Sequence, residues 1–343
     1  MSFHELRVAR VIDETHDARS FELEIPHELR ERFAYRAGQY LTFEVPLGAD
    51  RMVRCYSLAS SPDVGDAPRV TVKRVAGGRG SNWFHDAVSA GALLRAMPPL
   101  GRFVLHESTA PLLLFAGGSG ITPVLSLIKS TLATTQRRIR LLYANRDARS
   151  VIFRHELDAL VEANPARLEV VHHLDDAIGF VTADEVRAAR KGFEDAECYL
   201  CGPGPFMALV EATLRSAGVP DPRIRIERFE LPAEHAQTGV TAEAPLPAAG
   251  LPSEIVVHLD GQTHRVPYTV GQTILAAVRA AGLAPPFACE EAFCGSCAAK
   301  RLRGEVALDR NDVFSAQELA AGWILTCHGR PASAECEISW DPV

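Results

Sequence analysis

Four cysteines near the C-terminal end have a spacing that suits iron binding. Cys289, Cys294 and Cys297 form a C-x4-C-x2-C run, and Cys327 follows after a long gap. A run of three thiols with a distant fourth is an arrangement that holds a [2Fe–2S] cluster, in which each iron takes two thiolates. A zinc site would more often show paired C-x2-C units or a mixture of cysteine and histidine. The spacing therefore favours the cluster over zinc and over unconnected buried thiols.

Two glycine-rich segments in the middle of the chain suit a nucleotide. Residues 117–123 read GGSGITP and follow an apolar run at 112–116, while residues 201–205 read CGPGP and begin at the end of a second run, 197–201. A glycine turn between a buried strand and a helix presents backbone N–H groups to the phosphates of a dinucleotide. Neither segment has the common G-x-G-x-x-G spacing. Taken alone, Cys201 is better explained as a small buried hydrophobe.

Two further segments in the first third of the chain suit a flavin. Arg54, Tyr56 and Ser57 offer an arginine for a phosphate, an aromatic ring to lie along a ring system and a hydroxyl for a polar ring atom. Residues 80–82 read GSN and would suit a pyrophosphate at the start of a helix. Each segment also has an ordinary explanation, a half-buried strand end for the first and a turn with an N-cap for the second.

The elements that carry these residues fall into distinct regions. Residues 1–107 contain alternating stretches at 20–25, 40–45 and 70–75, separated by glycine and proline turns. Short strands punctuated in this way predict a small antiparallel β-barrel.

Residues 108–230 have a different pattern, in which short apolar runs alternate with helical stretches. The continuous run at 112–116 is expected of a strand buried on both faces of a parallel sheet, and the alternation of strands with helices predicts a doubly wound α/β domain. The predicted strands are 112–116, 140–144, 168–171, 197–201 and 223–226, and the predicted helices are 123–132, 153–161, 183–190 and 205–216.

The remaining residues predict a linker and a third domain. Residues 231–252 are rich in Ala, Pro, Glu and Thr without periodicity, which is typical of an inter-domain linker. Residues 253–343 begin with a strand at 254–259, a hairpin turn at Asp260-Gly261 and a second strand, followed by a helix at 274–281. We interpret this region as a β-grasp ferredoxin domain built around the cysteine loop.

The overall composition restricts the partners and the compartment. The 343 residues carry a net charge of −7, which argues against a nucleic-acid partner held by phosphate neutralisation. No apolar run approaches the length of a membrane span, and the first residues lack the apolar core of a signal peptide. Half of the eight cysteines lie in one cluster motif, which fits a reducing compartment. These features predict a cytoplasmic protein without a membrane partner.

The order of the motifs resembles the ferredoxin–NADP reductase superfamily. The segments at 54–57, 117–123 and 201–205 follow one another as they do in that superfamily, and residues 227–229 extend the match to the linker. The added cysteine motif resembles reductases with a C-terminal plant-type ferredoxin domain, above all the reductase components of phenylacetyl-CoA epoxidase and 3-ketosteroid 9α-hydroxylase. The resemblance covers essentially the whole chain. It implies that the β-barrel of residues 1–107 is a Greek-key barrel that binds FAD and that the α/β domain of residues 108–230 binds NAD(P).

The resemblance implies roles for individual residues. Those that would hold the flavin are Arg54, Tyr56, Ser57, Lys73, Val75, Ser81 and Asn82, of which the last two would bind a pyrophosphate and so favour FAD over FMN. Those that would bind the nicotinamide nucleotide are Gly118, Ser119, Gly120, Thr122, Arg146, Gly202 and Pro203. Those that would lie at the reaction centre are Tyr56, Ser57, Thr122, Cys201 and Phe229, where Phe229 would shield the flavin until the nicotinamide displaces it.

Electron counting connects the predicted cofactors. NADH or NADPH gives two electrons as a hydride and a [2Fe–2S] cluster takes one, so a flavin must stand between them. An acidic residue after the second α/β strand suits the ribose 2′-hydroxyl of NADH, whereas arginines suit the 2′-phosphate of NADPH. Asp147 favours NADH, but Arg146 and Arg149 fit NADPH.

The expected function is a reductase that passes electrons from NAD(P)H through FAD and the cluster to a terminal oxygenase of the Rieske or di-iron type. One alternative keeps the cofactors but sends electrons to another acceptor protein, such as a hybrid-cluster protein. A second alternative is a redox sensor in which the flavin and the cluster report the redox state.

Overall fold

The computed structural model describes residues 3–47, 50–229, 250–287, 290, 292, 295–311, 313–314 and 316–341. The chain divides into an N-terminal unit that ends at Phe229 and a C-terminal unit that begins at Glu230. No helix in these described ranges is long and apolar enough to cross a bilayer.

The first half of the N-terminal unit is an antiparallel barrel. Its alternating strands turn one face inward, where Phe21, Phe43 and Phe84 pack edge to face with ring centroids 5.3 and 5.4 Å apart. Its elements are β1 (His4–Thr15), β2 (Ala18–Glu24), β3 (Tyr40–Leu47), β4 (Asp50–Ser57), β5 (Arg69–Lys73), α1 (Arg79–Ala87) and β6 (Leu93–Leu100).

The six strands lie in the order β4-β3-β6-β1-β2-β5. An antiparallel bridge joins Leu58, the residue after β4, to Val70 of β5, so the two outer strands approach each other and the sheet curls towards closure at one end. The predicted antiparallel barrel is therefore confirmed.

Val75 does not lie on the strand where the sequence placed it. Strand β5 ends at Lys73, because its partner β2 begins opposite it at Ala18. The N–H of Val75 donates instead to the Ser81 hydroxyl at 3.1 Å. The side chain is 46% exposed, so the prediction that residues 70–75 form one continuous strand is wrong at its end.

The second half of the N-terminal unit is an α/β domain. Its five strands are all parallel and lie in the order β11-β10-β7-β8-β9, which confirms the doubly wound prediction. Its elements are β7 (Leu112–Gly117), α2 (Ile121–Thr134), β8 (Ile139–Asn145), α3 (Arg154–Ala163), β9 (Leu168–Leu174), α4 (Asp175–Ile178), α5 (Ala183–Arg190), β10 (Glu197–Cys201), α6 (Gly204–Ser216) and β11 (Ile224–Glu227).

Short 3-10 turns join several of these elements. Asp147 caps one of them, because its carboxylate accepts the N–H groups of Arg149 and Ser150 at 2.9 Å. The turns are His27–Leu29, Pro62–Val64, Gly118–Gly120, Ala148–Ser150 and Asp221–Arg223.

The barrel and the α/β domain are joined by polar contacts between α2 and the loop after β4. The hydroxyls of Ser61 and Ser130 lie 2.7 Å apart, and the Ser126 hydroxyl donates to the backbone oxygen of Ser60 at 2.6 Å. All four residues are buried, so these hydrogen bonds are shielded from water. Alanines of the barrel also pack into the apolar core of the α/β domain.

An ionic network reinforces the same contact. Glu156 on α3 accepts from Arg69 of the barrel at 2.6 Å and from Lys129 on α2 at 2.7 Å. Lys129 also pairs with Asp66 of the barrel. Because these side chains are mostly buried, the network is less screened than a surface ion pair.

The C-terminal unit is a mixed sheet with a packed helix. Its strands lie in the order β13-β12-β16-β14-β15, in which β12 and β16 are parallel and the other pairs antiparallel. This arrangement confirms the β-grasp prediction. The elements are β12 (Glu254–Leu259), β13 (Gln262–Pro267), α7 (Ile274–Ala280), β14 (Ala298–Leu308), α8 (Ala316–Ala320), β15 (Trp323–Leu325) and β16 (Gly329–Ser339). Most of the predicted linker, 231–249, lies outside the described residues, and the exact domain boundaries stay predictions.

Candidate functional site

The two glycine-rich segments meet at the carboxyl edge of the parallel sheet. They follow the adjacent strands β7 and β10. A Cβ atom on Gly120 would lie 2.1 Å from the backbone oxygen of Cys201, and one on Gly202 would lie 2.9 Å from the nitrogen of Gly117. Real Cβ atoms essentially never come so close, so the two turns touch only because both positions are glycine.

Tyr143 on β8 holds the glycine turn at residues 117–120 in place. Its buried hydroxyl lies 3.2 Å from the backbone oxygen of Gly118 and accepts the N–H of Ile152 at 3.2 Å. Burial raises the pKa of this phenol, so it stays protonated as a donor. Sequence reasoning missed this residue, because a tyrosine in an apolar strand gives no signal beyond its place in the core.

Thr122 and Cys201 lie at the same edge of the parallel sheet as uncharged, buried side chains. Thr122 is buried, and its hydroxyl donates to the backbone oxygen of Ser119 at 3.1 Å. Cys201 is fully buried, and desolvation raises the pKa of its thiol well above the ordinary value. Phe229 is partly buried and packs against the core cluster that includes Cys201. These predicted reaction-centre residues are therefore neutral groups, and Cys201 packs as the buried hydrophobe of the alternative interpretation.

In the barrel, Arg54 and Tyr56 meet the start of helix α1. A Cβ atom on Gly80 would lie 3.0 Å from Cγ of Arg54 and 3.6 Å from the Tyr56 hydroxyl. The Tyr56 ring packs edge to face on Phe84 with centroids 5.0 Å apart, and burial raises the pKa of its phenol. A glycine at this position therefore leaves room beside an arginine, an aromatic ring and a helix N-terminus.

Helix α1 begins without a side-chain cap. Its N-cap residue is Gly78, and the first N–H groups of a helix have no intrahelical acceptor. The Ser81 hydroxyl is occupied by the N–H of Val75, and the side-chain oxygen of Asn82 accepts from Arg74 at 3.2 Å. The backbone N–H groups of this helix start can therefore donate to an anion beside the predicted Ser81 and Asn82 side chains, whose roles stay predictions.

Ser57 carries a hydroxyl that the fold does not use. Its side chain is 3% exposed, and its oxygen has no hydrogen-bond partner within the described part of the chain. Buried polar atoms are nearly always paired, and an exception calls for an explanation. A bound group with a polar edge at the end of β4 would supply the missing partner.

Lys73 connects the barrel side of the site with the nucleotide side. Its ammonium nitrogen would lie 3.6 Å from a Cβ atom on Gly118. Burial lowers the pKa of Lys73, and the carboxylate of Asp17 opposes this effect. The predicted flavin-binding Lys73 and the predicted nucleotide-binding Gly118 therefore lie side by side where the barrel meets the α/β domain, a boundary that we call the cleft.

Arg146, the first residue after β8, is engaged across this cleft. Its guanidinium donates to the carboxylate of Asp17 at 3.0 Å, although the two residues are 129 positions apart in the chain. The pair belongs to a small charged group with Lys73, whose ammonium nitrogen is 3.8 Å from the same carboxylate oxygen.

In the C-terminal unit, Cys297 and Cys327 come together. Both are buried in one apolar cluster, and their sulfur atoms lie 3.2 Å apart. Two thiolates on one tetrahedral metal ion would be about 3.8 Å apart, close to this separation. Cys289 and Cys294 lie outside the described residues.

Three described residues that precede Cys297 have left-handed backbone conformations. Glu290, Ala292 and Gly295 all have φ between 55 and 70°, a region that non-glycine residues rarely adopt. Left-handed residues turn successive N–H groups to one side of a loop, where they can donate to sulfur. Thr326 fixes Cys297 by donating from its hydroxyl to the Cys297 backbone oxygen at 2.9 Å. The described residues thus fit a cluster held by cysteine thiolates.

Three family models match consecutive parts of the chain. An oxidoreductase FAD-binding domain matches residues 5–105, an oxidoreductase NAD-binding domain matches 114–212, and a 2Fe-2S iron-sulfur cluster binding domain matches 257–332. The ferredoxin reductase component of 3-ketosteroid-9-alpha-monooxygenase from Rhodococcus rhodochrous is 42% identical over 343 residues, which is 98% of this chain and 96% of that protein. The chain belongs to the family of oxygenase reductase components.

Other relatives of this reductase match it over nearly its whole length. A component of 1,2-phenylacetyl-CoA epoxidase from Escherichia coli K12 is 31% identical over 99% of this chain and 98% of that protein. The solved structure of phthalate dioxygenase reductase, described as a modular structure for electron transfer from pyridine nucleotides to [2Fe–2S], covers 98% of both chains with a TM-score of 0.60 and 28% identity. The predictions of FAD, a pyridine nucleotide and a [2Fe–2S] cluster are confirmed, and the individual site residues stay predictions.

Proposed function

We propose that this reductase oxidises NADH in the cytoplasm and delivers single electrons to a separate terminal oxygenase. The main support is that one chain combines two sites. A nucleotide cleft lies between two firmly joined domains, and a separate module brings two buried thiols together. FAD, when bound, accepts a hydride from a nicotinamide and gives up electrons one at a time, so it can connect a two-electron donor to a one-electron acceptor.

The residues of the barrel would hold and orient the flavin. Arg54 and the open start of α1 supply positive charge and N–H groups for the phosphates. Tyr56 is held by Phe84 and offers a fixed edge to the ring system. The Ser57 hydroxyl, which the described fold leaves unpaired, would donate to a polar atom of the ring.

The residues of the α/β domain would position the nicotinamide nucleotide. The close contact of residues 117–120 with Cys201 and Gly202 creates a wall of backbone N–H groups against which phosphates can rest. Cys201, a neutral and immobile thiol, excludes water from this wall. Phe229 would cover the flavin face when no nicotinamide is present, because it already packs against the same core.

The choice of an oxygenase as acceptor rests on the relatives. Proteins 40 to 42% identical to this chain are reductase components of 3-ketosteroid-9-alpha-monooxygenase. More distant ones belong to 1,2-phenylacetyl-CoA epoxidase and glycine betaine monooxygenase. The names of these relatives share a monooxygenase or an epoxidase and differ in the organic substrate, which supports an oxygenase as the acceptor.

Anaerobic reduction by NADH tests the internal relay. We expect bleaching of the flavin absorbance and the appearance of a [2Fe–2S] electron paramagnetic resonance signal within the turnover time. A reduced flavin with a silent cluster would contradict the relay and favour the sensor alternative.

A reconstituted system tests the acceptor. A 3-ketosteroid monooxygenase is the first partner to try, with a flavin reductase that lacks the ferredoxin module as the control. We expect NADH consumption to rise when the oxygenase and its substrate are both present, with hydroxylated product formed in proportion. Consumption that does not respond to any oxygenase would instead support a different acceptor protein.

A further inference from the structure

A carboxylate of the barrel reaches across the cleft to the α/β domain. Asp17 lies in the turn between β1 and β2, and its Oδ2 atom is 3.0 Å from Nη2 of Arg146 and 3.8 Å from Nζ of Lys73. We call Asp17, Lys73 and Arg146 the cross-cleft triad. His16 is the next nearest ionisable group, with its Nε2 atom 3.8 Å from Asp17 Oδ2.

Both ends of the Asp17–Arg146 pair are held by other elements. Thr15 donates its hydroxyl to Asp17 Oδ1 at 2.9 Å, and the N–H of Arg74 donates to the backbone oxygen of Asp17 at 2.6 Å. On the other side, the N–H of Asp176 donates to the backbone oxygen of Arg146 at 2.9 Å. The Asp17 carboxylate and the backbones of both residues are therefore held by the fold, and Asp17 in turn holds the exposed Arg146 side chain.

The triad occupies the position where two nucleotide cofactors differ. The residue after the second strand of a dinucleotide-binding sheet faces the ribose of the adenosine, and Arg146 holds this place after β8. Lys73 lies beside Gly118 of the phosphate turn. The Arg146 side chain is 63% exposed and so remains reachable, whereas that of Asp17 is only 16% exposed.

We propose that Asp17 determines the preference for NADH by acting as the counter-ion of Arg146. A 2′-phosphate would have to displace the Asp17 carboxylate from Arg146 and then remain close to it, with the carboxylate of Asp147 on the next residue. Like charges at such distances repel strongly where water is partly excluded. A 2′-hydroxyl adds no charge and can donate a hydrogen bond to a carboxylate.

This inference rests on the proposed NADH oxidation and adds the residue that sets its selectivity. Arg146 and Arg149 would otherwise form a favourable site for a 2′-phosphate. Neutralising Asp17 should therefore release Arg146 towards that phosphate, and removing Arg146 should act in the opposite direction.

The experiment compares nucleotide binding in the full-length, FAD- and cluster-loaded protein. Titration calorimetry measures the dissociation constants of adenosine 2′,5′-bisphosphate and of 5′-AMP for wild type, Asp17→Asn and Arg146→Ala. In Asp17→Asn the ratio of the two dissociation constants should change about tenfold in favour of the bisphosphate, which is equivalent to about 1.4 kcal/mol. In Arg146→Ala it should shift towards 5′-AMP. The ratio of kcat/KM for NADPH and NADH should follow the same order.

Asp13→Asn is the matched control. Asp13 lies on the same hairpin and pairs with Arg19 at 2.7 Å, so the substitution removes one charge and one ion pair outside the triad. Its nucleotide ratio should equal that of wild type.

Three results would overturn the inference or its basis. An unchanged ratio in Asp17→Asn, or an equal shift in Asp13→Asn, would show that Asp17 does not select the nucleotide. A shift that persists in Asp17→Asn/Arg146→Ala would show that Asp17 does not act through Arg146. Should Asp17→Asn not fold, an unchanged ratio in Arg146→Ala would itself contradict the proposal. If wild type oxidises neither NADH nor NADPH, the proposed NADH oxidation fails first.

Discussion

The nucleotide cleft and the cysteine module reach a functional geometry by opposite means. At the cleft, the important positions are those without side chains, since a single methyl group on Gly120 would lie 2.1 Å from the Cys201 backbone. In the cysteine module, the important positions are side chains, and two thiols converge within 3.2 Å. The geometry of the backbone site therefore depends on how closely its neighbours pack, whereas the geometry of the thiol site depends on which residues carry a thiol.

The difference determines how each site fails. Loss of one thiol should abolish one cofactor and leave the fold in place, because the rest of the module retains its apolar core. Loss of one glycine should disturb the fold and the binding surface together, because the two turns share their contact.

The largest expected effect is that of Cys297→Ser. We expect loss of the [2Fe–2S] signal and of electron delivery to the oxygenase, while FAD content and NADH-dependent ferricyanide reduction remain. Visible absorbance, iron content and both activities measure this separation. Cys336→Ala, which removes a buried thiol of the same module that is outside the motif, should keep the cluster. Equal loss in both variants would mean that the module is merely destabilised.

The substitution Gly120→Ala should have the second largest effect. The φ of Gly120 is −62°, which suits alanine, so the whole effect comes from the collision with Cys201. We expect a loss of about 3 kcal/mol in the free energy of unfolding and a strong rise in KM for NADH. Gly91→Ala is the contrasting control, because its φ is +88° but nothing lies within 4 Å, and it should cost only about 1–2 kcal/mol with KM unchanged. Similar KM values in the two variants would contradict the role of the close contact.

Ser57→Ala should have a smaller and more selective effect. Removal of a buried hydroxyl without a partner should leave the apoprotein equally or more stable. FAD affinity should fall about threefold to tenfold, the size of one hydrogen bond of about 0.5–1.5 kcal/mol. Urea unfolding of the apoprotein and fluorescence of released FAD provide the two measurements.

Ser20→Ala provides the control for Ser57. Ser20 is also buried in the barrel, but its hydroxyl is paired with Thr71 at 2.7 Å. This variant should lose stability without losing FAD affinity. An unchanged FAD affinity in Ser57→Ala would remove Ser57 from the flavin site.

The last expected effect is absent at neutral pH and appears only at alkaline pH, as a pH dependence of the cysteine module. Burial raises the pKa of the Cys336 thiol from 9.0 to about 12. Because the unfolded state ionises first, stability is complete below pH 9 and is lost as the pH rises from 9 towards 12. At pH 10 the loss from this group is about 1.4 kcal/mol. Urea unfolding followed by cluster absorbance should show a shallower decline above pH 9 in Cys336→Ala than in wild type, and identical declines would contradict the assignment.

The sequence predicts elements well where one pattern dominates. The apolar runs at 112–116 and 140–144 were easy to locate because the strands they form, β7 and β8, are almost wholly buried. The strands β9 and β11 were also located, although they contain charged residues such as Glu169 and Arg225 and are only partly buried. In the barrel, β1, β4 and β6 were not located individually. The pairing of β1 with β2 contains register shifts between Val8 and Arg10 and between Asp13 and Thr15, which break the alternation on which detection depends.

The site was predictable to the extent that motifs are local. The glycine turns and the cysteine spacing lie within short segments and could be read directly. The Asp17–Arg146 pair joins residues 129 positions apart, and no periodicity connects them. The unpaired state of Ser57 is a property of its surroundings, so only the packed barrel reveals it.

The serine and ion-pair contacts between the barrel and helix α2 also have a consequence for protein engineering. Ser60 and Ser61 of the barrel are matched to Ser126 and Ser130, and Arg69 and Asp66 are matched to Glu156 and Lys129. A chimera that exchanges the nucleotide-binding domain for that of a relative would have to carry these partners with it. The barrel and the α/β domain should therefore be exchanged together, and we expect them to have been inherited together.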